Sequence, residues 1–254
     1  MMDINRINKN LRAIFFKTIK KNNQIDFFRT QFEKFKQISA SSNERFQLDW
    51  EDKYPCLNDE TETTDFDPHY IYHTAWAARI IKQISPTVHV DISSSLYFSV
   101  ILSAFIPVEF YDYRPANIKL FNLKMQSADL CNLHFNNNSI QSLSCMHVVE
   151  HIGLGRYGDP LDYDGDLKAI EELKRVLKPE GDLLFVVPIG KPKIMFNAHR
   201  IYSYEQIITY FGEFTLKEFS LIPDNGFEIG IVRNATQELA DAQIYSCGCF
   251  WFKK

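Results

Sequence analysis

The sequence predicts an α/β fold built on a doubly wound, mostly parallel sheet, and three observations carry that prediction. From residue 87 onward, short apolar segments of strand length alternate with amphipathic segments of helix length. One of them, Asp182-Leu-Leu-Phe-Val-Val-Pro188, is a continuous apolar run, as a strand covered on both faces must be. Two late strand-like segments, 215–222 and 243–252, are neighbours in sequence and can pair antiparallel.

The elements follow in order. Residues 3–40 are rich in Lys, Asn and Phe and lack Gly and Pro. Phe15, Phe16 and Ile19, then Phe27, Phe28, Phe32 and Phe35, recur at helical spacing. One or two amphipathic helices are expected, with the stretch from Ser39 to Ser42 as a break. Such a prefix points to a lid or a homodimer face rather than to a membrane surface. Residues 1–50 hold ten Lys and Arg against five acids, whereas 51–75 hold seven acids against one Lys. Residues 1–68 are therefore an expected helical extension with an acidic loop, and 69–254 the main domain. Tyr70 to Ile84 predicts a helix. Strands are expected at Thr87–Ile92, Pro107–Asp112, Lys124–Ala128 and Ser139–Met146, with a helix over Leu96–Phe105. The clearest helix spans Asp164–Leu177. Leu167, Ile170, Leu173 and Leu177 line one face, Asp164 or Asp166 can cap it, and Lys178-Pro-Glu-Gly181 ends it. Ser203–Tyr210 is another helix.

Composition narrows the function classes. The 254 residues suit one sizeable domain with an added segment. A net charge of −4 gives no reason to expect a nucleic-acid partner. Five cysteines without a C-x-x-C pair predict reduced thiols in a cytoplasmic protein. No apolar run approaches the ~18 residues of a membrane span, and no secretory leader is expected.

Residues 144–159, "SCMHVVEHIGLGRYGD", contain two motifs. His147-Val-Val-Glu-His151 fits H-x-x-E-H, the zinc signature of inverted zinc proteases. Gly153-Leu-Gly-Arg-Tyr-Gly158 fits the dinucleotide fingerprint G-x-G-x-x-G. The second works only where a strand turns straight into a helix, and here Asp159-Pro160 follows. The first needs a long helix, which Gly153 and Gly155 stop within a turn. Neither function is expected.

Taken together, the segments resemble class I S-adenosylmethionine-dependent methyltransferases. The resemblance rests on Asp91 after "VHV", Asp112 in "EFYDYRP", Asp129 in "MQSADLCNLHF", "SIQSLSCMHVVEHI", "AIEELKRVLKPEGDLLFVVP" and "HRIYSYEQI", in that order over residues 87–211. It implies a Rossmann-like seven-stranded sheet. More narrowly, "HVVEHIGLGRYGDPLD…FNAHRIYSYEQI" is similar to a methyltransferase-like family of unknown function, noted in nematodes and in bacterial polysaccharide gene clusters. The implied activity is an S-adenosylmethionine-dependent O-methyltransferase for a sugar or phosphorylated precursor of a surface polysaccharide. The alternative is a binding protein of the same fold without catalysis.

The resemblance also implies site residues. Asp91, Ser93 and Ser94 would surround the methionine end of the cofactor. Asp112, with Tyr113 and Arg114, would meet the ribose, and Asp129 with Leu130 the adenine. His147 would close the site. One departure stands out: the family's D-x-G-x-G loop is "DISSS" here, and the first glycine of the chain is Gly153. The region is also similar to small-RNA 2′-O-methyltransferases, which implies His147, Glu150, His151 and His199 as ligands of a divalent ion, with Mn²⁺, Mg²⁺ and Zn²⁺ all arguable. Such an ion would activate an alcohol whose pKa is near ~15. Any of His147, His151 or His199 not holding metal could take the proton. The bland reading is that Glu150 and His151 only hold the turn after the strand. Arg156, Tyr157 and Arg200 are expected at the substrate, though each Arg could equally be a solvated surface residue. Tyr70, Tyr72 and His73 either flank the cofactor or pack on the core.

Overall fold

The structure, a computed structural model, is described for residues 23–41 and 45–254. The expected helix around Phe15, Phe16 and Ile19 lies outside these residues. The chain divides into two units, Met1–Asp65 and Phe66–Lys254.

The first unit holds helix α1 (residues 23–40) and the acidic loop. Phe32 meets the ring of Trp50 edge-on at 5.0 Å, and Arg29 and Lys53 lie over the same indole at 5.2 and 5.1 Å. Gln24 Nε2 donates to the Leu57 carbonyl at 2.9 Å. The acidic segment thus folds back on its own helix. Phe27 and Phe35 remain exposed.

The second unit carries the predicted sheet. Its strands are β1 (His89–Ile92), β2 (Val108–Asp112), β3 (Leu123–Ser127), β4 (Ile140–Met146), β5 (Leu177–Ile189), β8 (Thr215–Ile222) and β9 (Ser246–Lys253). A separate hairpin of β6 (Lys193–Met195) and β7 (His199–Ile201) lies between them in sequence. The sheet order is β3-β2-β1-β4-β5-β9-β8. The first five strands are parallel, and β9 runs antiparallel between β5 and β8.

Local chemistry accounts for the helices. In α2 (Pro68–Ile84), Pro68 occupies the first turn, where its missing N–H costs nothing, and the Asp67 side chain accepts from Tyr70 N. Helices α3 (Leu96–Leu102) and α4 (Gly165–Val176) follow β1 and precede β5. Asp164 takes the cap position of α4 without a side-chain hydrogen bond. The helix ends at Val176, and Leu177 with Lys178–Gly181 begins β5 directly. A reciprocal capping box between Ser203 and Gln206 starts α5 (Tyr204–Tyr210). Short helices α6 (Gly226–Ile229) and α7 (Gln237–Asp241) lie between β8 and β9.

Two apolar cores follow from covering both faces of the sheet. Ala169, Ile170 and Leu173 of α4, with Ile207 of α5, pack on one face. Trp76, Ile80 and Ile81 of α2, with Phe98 of α3, pack on the other. Leu183, Phe185 and Val187 point to the first core, Leu184 and Val186 to the second, which is why this run needed no polar residue. The order reverses at β1, whose neighbours are β2 and β4. In doubly wound sheets, ligands bind outside the strand ends at that reversal.

Candidate functional site

The loop after β1 shows how a glycine-free turn is made. Ser93 adopts the left-handed region, with φ of 54°. Its N–H donates to the Tyr111 carbonyl at 2.7 Å, and its hydroxyl donates to the same oxygen at 3.1 Å. These two bonds to β2 hold a conformation that a residue with a Cβ adopts at a cost. Ser94 Oγ accepts from Met146 N at 3.1 Å, tying the loop to β4.

Asp91 departs from the expectation of direct cofactor contact. It is completely buried; Ser99 donates to one carboxylate oxygen and Ser144 to the other at 2.6 Å. Burial raises its pKa to about 6, against the hydrogen bonds from these serines. Ser144 gives its one proton to Asp91, so its oxygen accepts from His89 Nε2–H at 2.9 Å, and His89 Nδ1 accepts from Ser142 at 2.8 Å. Asp91 therefore anchors a buried polar chain beneath the loop.

At the end of β2, half-buried Asp112 accepts from Arg114 N through Oδ1 at 2.6 Å, while Oδ2 has no hydrogen-bond partner among the described residues. Tyr113 is exposed. Beyond β3, exposed Asp129 accepts from Cys131 N at 2.8 Å, and Leu130 is buried beside it.

The end of β4 opens into a cluster that holds five of the seven histidines. His147 has a φ of 57°, and its Nδ1 lies 2.8 Å from Glu150 Oε1. With Glu150 as the acceptor, Nδ1 carries the proton and Nε2 the lone pair. Glu150 sits in the single turn Val149–His151, buried, with Oε2 unpartnered. Desolvation pushes its pKa up to about 7 and that of His147 down to about 4. His151 Nδ1 donates to the Ala198 carbonyl at 2.6 Å, which leaves the Nε2 lone pair 3.9 Å from Glu150 Oε1. Its pKa is lowered, chiefly by burial. His199 arrives on β7; its Nε2 is buried without a partner and its ring stacks on Tyr245 at 5.1 Å.

Helix α2 adds a second layer. The rings of His69 and Tyr70 stack on His147 at 5.7 and 5.4 Å, and His73 meets it edge-on at 5.2 Å. Burial holds His69 at about 4 and His73 at about 3. Tyr72 instead faces Phe66. The buried Cys247 Sγ of β9 lies 3.3 Å from His147 Nε2. His69 and Cys247 had no role in the sequence reading. The only signal was the i, i+4 pair His69 and His73, one face of a helix just past its cap.

The four ligands expected from sequence do not converge on one ion. Glu150 Oε1 bonds His147, and His151 Nδ1 bonds a carbonyl. A hard cation such as Mg²⁺ needs several oxygens, and the cluster offers one carboxylate. Among the described residues, the three ligand atoms found within 4.8 Å of one another belong to His69, His147 and Cys247.

The glycine loop explains itself. Gly153 and Gly155 N–H donate to Asp159 Oδ2 at 2.8 and 3.3 Å, and Tyr157 N–H to Oδ1 at 3.1 Å. The amides that a dinucleotide fingerprint would aim at a pyrophosphate surround the chain's own carboxylate. Gly153 is obligatory: with φ of 79°, a Cβ would lie 2.0 Å from the Asp162 carbonyl oxygen. Arg156 donates to Ala198 O at 3.1 Å, and both its guanidinium and that of Arg114 lie over the Tyr157 ring, at 5.1 and 4.8 Å. Arg200, expected at the substrate, has its side chain engaged with the backbone. It is buried, donates to the carbonyls of Ile152 and Tyr163 at 2.6 and 2.9 Å, and faces Asp166 at 3.5 Å, so it braces the loop.

The model of a family described as "Caenorhabditis protein of unknown function, DUF268" matches residues 107–243. The chain belongs to this family. The DUF268 match runs from β2 to just before β9. It contains His147, Glu150, His151 and His199 but neither the β1 loop nor Cys247. No curated protein matches the sequence. Among solved structures, a candidate sarcosine dimethylglycine methyltransferase of Galdieria sulphuraria superposes with a TM-score of 0.50 at 11% identity, over 72% of this chain and 85% of that one. The 1,6-didemethyltoxoflavin-N1-methyltransferase of Burkholderia thailandensis, solved with its substrate and S-adenosylhomocysteine, gives 0.50 at 10% identity, over 72% and 78%. At such identities the likeness concerns the fold, which is that of class I methyltransferases. The described residues contain no helix long and apolar enough to cross a membrane.

Proposed function

We propose that this chain is an S-adenosylmethionine-dependent O-methyltransferase, with a sugar or phosphorylated precursor of a surface polysaccharide as acceptor. The observation that carries the chemistry is His151. Its Nδ1 is fixed on a backbone carbonyl, its Nε2 lone pair is free, and Glu150 stands 3.9 Å away to stabilise the imidazolium that forms on taking a proton. The polysaccharide assignment follows the sequence resemblance.

The residues present suit the cofactor. The unpartnered Asp112 Oδ2 can accept from the ribose hydroxyls, and Asp129 from the adenine amine. Ser93 and Ser94 shape the turn at the methionine end, which Asp91 holds from below. When bound, the cofactor supplies an electrophilic methyl group. His151 Nε2 takes the hydroxyl proton, and Arg156 and Tyr157 at the rim orient a phosphate or carboxylate of the acceptor. Hydrogen bonds account for Glu150 Oε1 and His151 Nδ1 without Mn²⁺ or Mg²⁺. The glycine-free loop favours the alternative, a protein of this fold without catalysis, but the left-handed Ser93 reproduces the turn that glycine would supply.

Radiolabelled S-adenosylmethionine with a panel of nucleotide sugars and sugar phosphates tests the reading. Label transfer to at least one hydroxyl compound is expected; cofactor binding with no transfer to any would favour the binding-protein alternative. The free thiols fit a cytoplasmic protein, and the exposed Phe27 and Phe35 of α1 fit a homodimer. Deleting residues 1–45 should then turn a sedimenting dimer into a monomer, and an unchanged number of subunits would dismiss this dimer face.

A further inference from the structure

We propose that His69, His147 and Cys247 bind a thiophilic divalent cation of the Zn²⁺ class, a site independent of the methyl-transfer reading. Three elements distant in sequence bring them together: the first turn of α2, the end of β4 and the start of β9. Their ligand atoms lie within 4.8 Å of one another.

The hydrogen bonding is already arranged for metal. Glu150 accepts from His147 Nδ1–H and so presents the Nε2 lone pair, 3.3 Å from Cys247 Sγ. A carboxylate behind a histidine in this way is the usual second layer of a zinc site, fixing the tautomer and raising ligand basicity. Around a tetrahedral ion with Zn–N of ~2.0 Å and Zn–S of ~2.3 Å, nitrogen and sulfur stand roughly 3.5 Å apart. The His147–Cys247 pair is already near that spacing. His69 is only partly buried, on the first turn of its helix, and a shift of about 1 Å would complete the triangle.

A second observation points to the same place. His73 Nδ1 donates to the His69 carbonyl at 2.7 Å, and its Nε2 is buried without a partner, in a ring 5.2 Å from that of His147. An orphaned buried nitrogen is costly unless an ion or its water sits nearby. The donor set decides the ion. Two imidazoles and a thiolate favour Zn²⁺ or Co²⁺ and disfavour Mg²⁺ and Ca²⁺. Binding releases the Cys247 proton to solvent, and three protein ligands leave the fourth position of a tetrahedral ion for water or a substrate heteroatom.

The competing explanation is a hydrogen bond from the Cys247 thiol to His147 Nε2, with no ion. The full chain, stripped with chelator and then dialysed against Co²⁺, separates the two. The proposal predicts about one ion per chain and a thiolate-to-metal charge-transfer band, both displaced by Zn²⁺ and unaffected by excess Mg²⁺. Cys247→Ser should abolish the band, and His69→Ala should weaken Zn²⁺ affinity about tenfold to a hundredfold; Cys131→Ser should do neither. Because Cys247 is buried and its variant can misfold, thermal unfolding of the His69→Ala protein gives a second measure. Zn²⁺ should raise the midpoint of the wild type and not of this variant. No charge-transfer band in the wild type, or equal Zn²⁺ stabilisation of the wild type and His69→Ala, would overturn the site whether or not methyl transfer is found.

Discussion

Asp112→Asn separates cofactor recognition from loop structure, because the two carboxylate oxygens do different work. Oδ1 accepts from Arg114 N at 2.6 Å and holds the turn after β2; Oδ2 has no partner among the described residues and is the oxygen assigned to the ribose. Asparagine keeps the first acceptor and replaces the second with a donor. The variant should therefore fold like the wild type and lose only the charged hydrogen bonds to the cofactor. Such bonds are worth about 1.5–3 kcal/mol, so affinity should fall about tenfold to a hundredfold. Titration calorimetry with S-adenosylhomocysteine measures it, with circular dichroism to confirm the fold. Asp112→Ala loses the turn as well and should be worse on both counts. If Asp112→Asn binds within about twofold of the wild type, the ribose assignment is wrong.

The remaining predictions concern the histidine cluster and the loop over it. His151→Ala should lower kcat by about 10²–10⁴ while leaving cofactor affinity unchanged; a wild-type kcat in this variant would remove the base. The lowered pKa of His151 places its protonated form below the usual histidine range, so activity should rise with pH on the acid side of 6.5 and level off near neutrality. Glu150, raised from 4.5 to about 7, contributes stability that is present below pH 4.5 and lost as pH rises toward 7. His73 and His147, lowered below 6.5, contribute in the opposite sense and lose theirs as pH falls. The comparison must therefore be differential: relative to wild type, Glu150→Gln should gain stability in denaturant unfolding between pH 5 and pH 8, and equal pH slopes would contradict the buried carboxylate. Gly153→Ala combines a left-handed backbone with a clash at Asp162 and should destabilise by on the order of 3 kcal/mol, read as a lowered unfolding midpoint.

The sheet could be read from the chain because its signal is local. Alternation marked β4, and the two-faced apolar run marked β5. The hairpin of β6 and β7 had no such signal: each strand is three residues long, and β6 is exposed throughout. The site was only half visible for a related reason. His147, Glu150 and His151 lie within five residues of one another, whereas His69 and Cys247 meet them only because α2 packs over the strand ends and β9 inserts beside β5. Nothing in the letters around Arg200 separates a guanidinium that meets substrate from one that braces Ile152 and Tyr163. Asp91 was likewise identified as the acid near the end of β1, but Ser99 and Ser144, which seal it, are eight and fifty-three residues away.

A crystal structure of the full chain grown with saturating S-adenosylhomocysteine tests the central claim most directly. The account predicts the ribose on Asp112 Oδ2, the adenine amine on Asp129, and the sulfur turned toward His151. Crystals without the ligand, or with its sulfur directed away from His151, would contradict it.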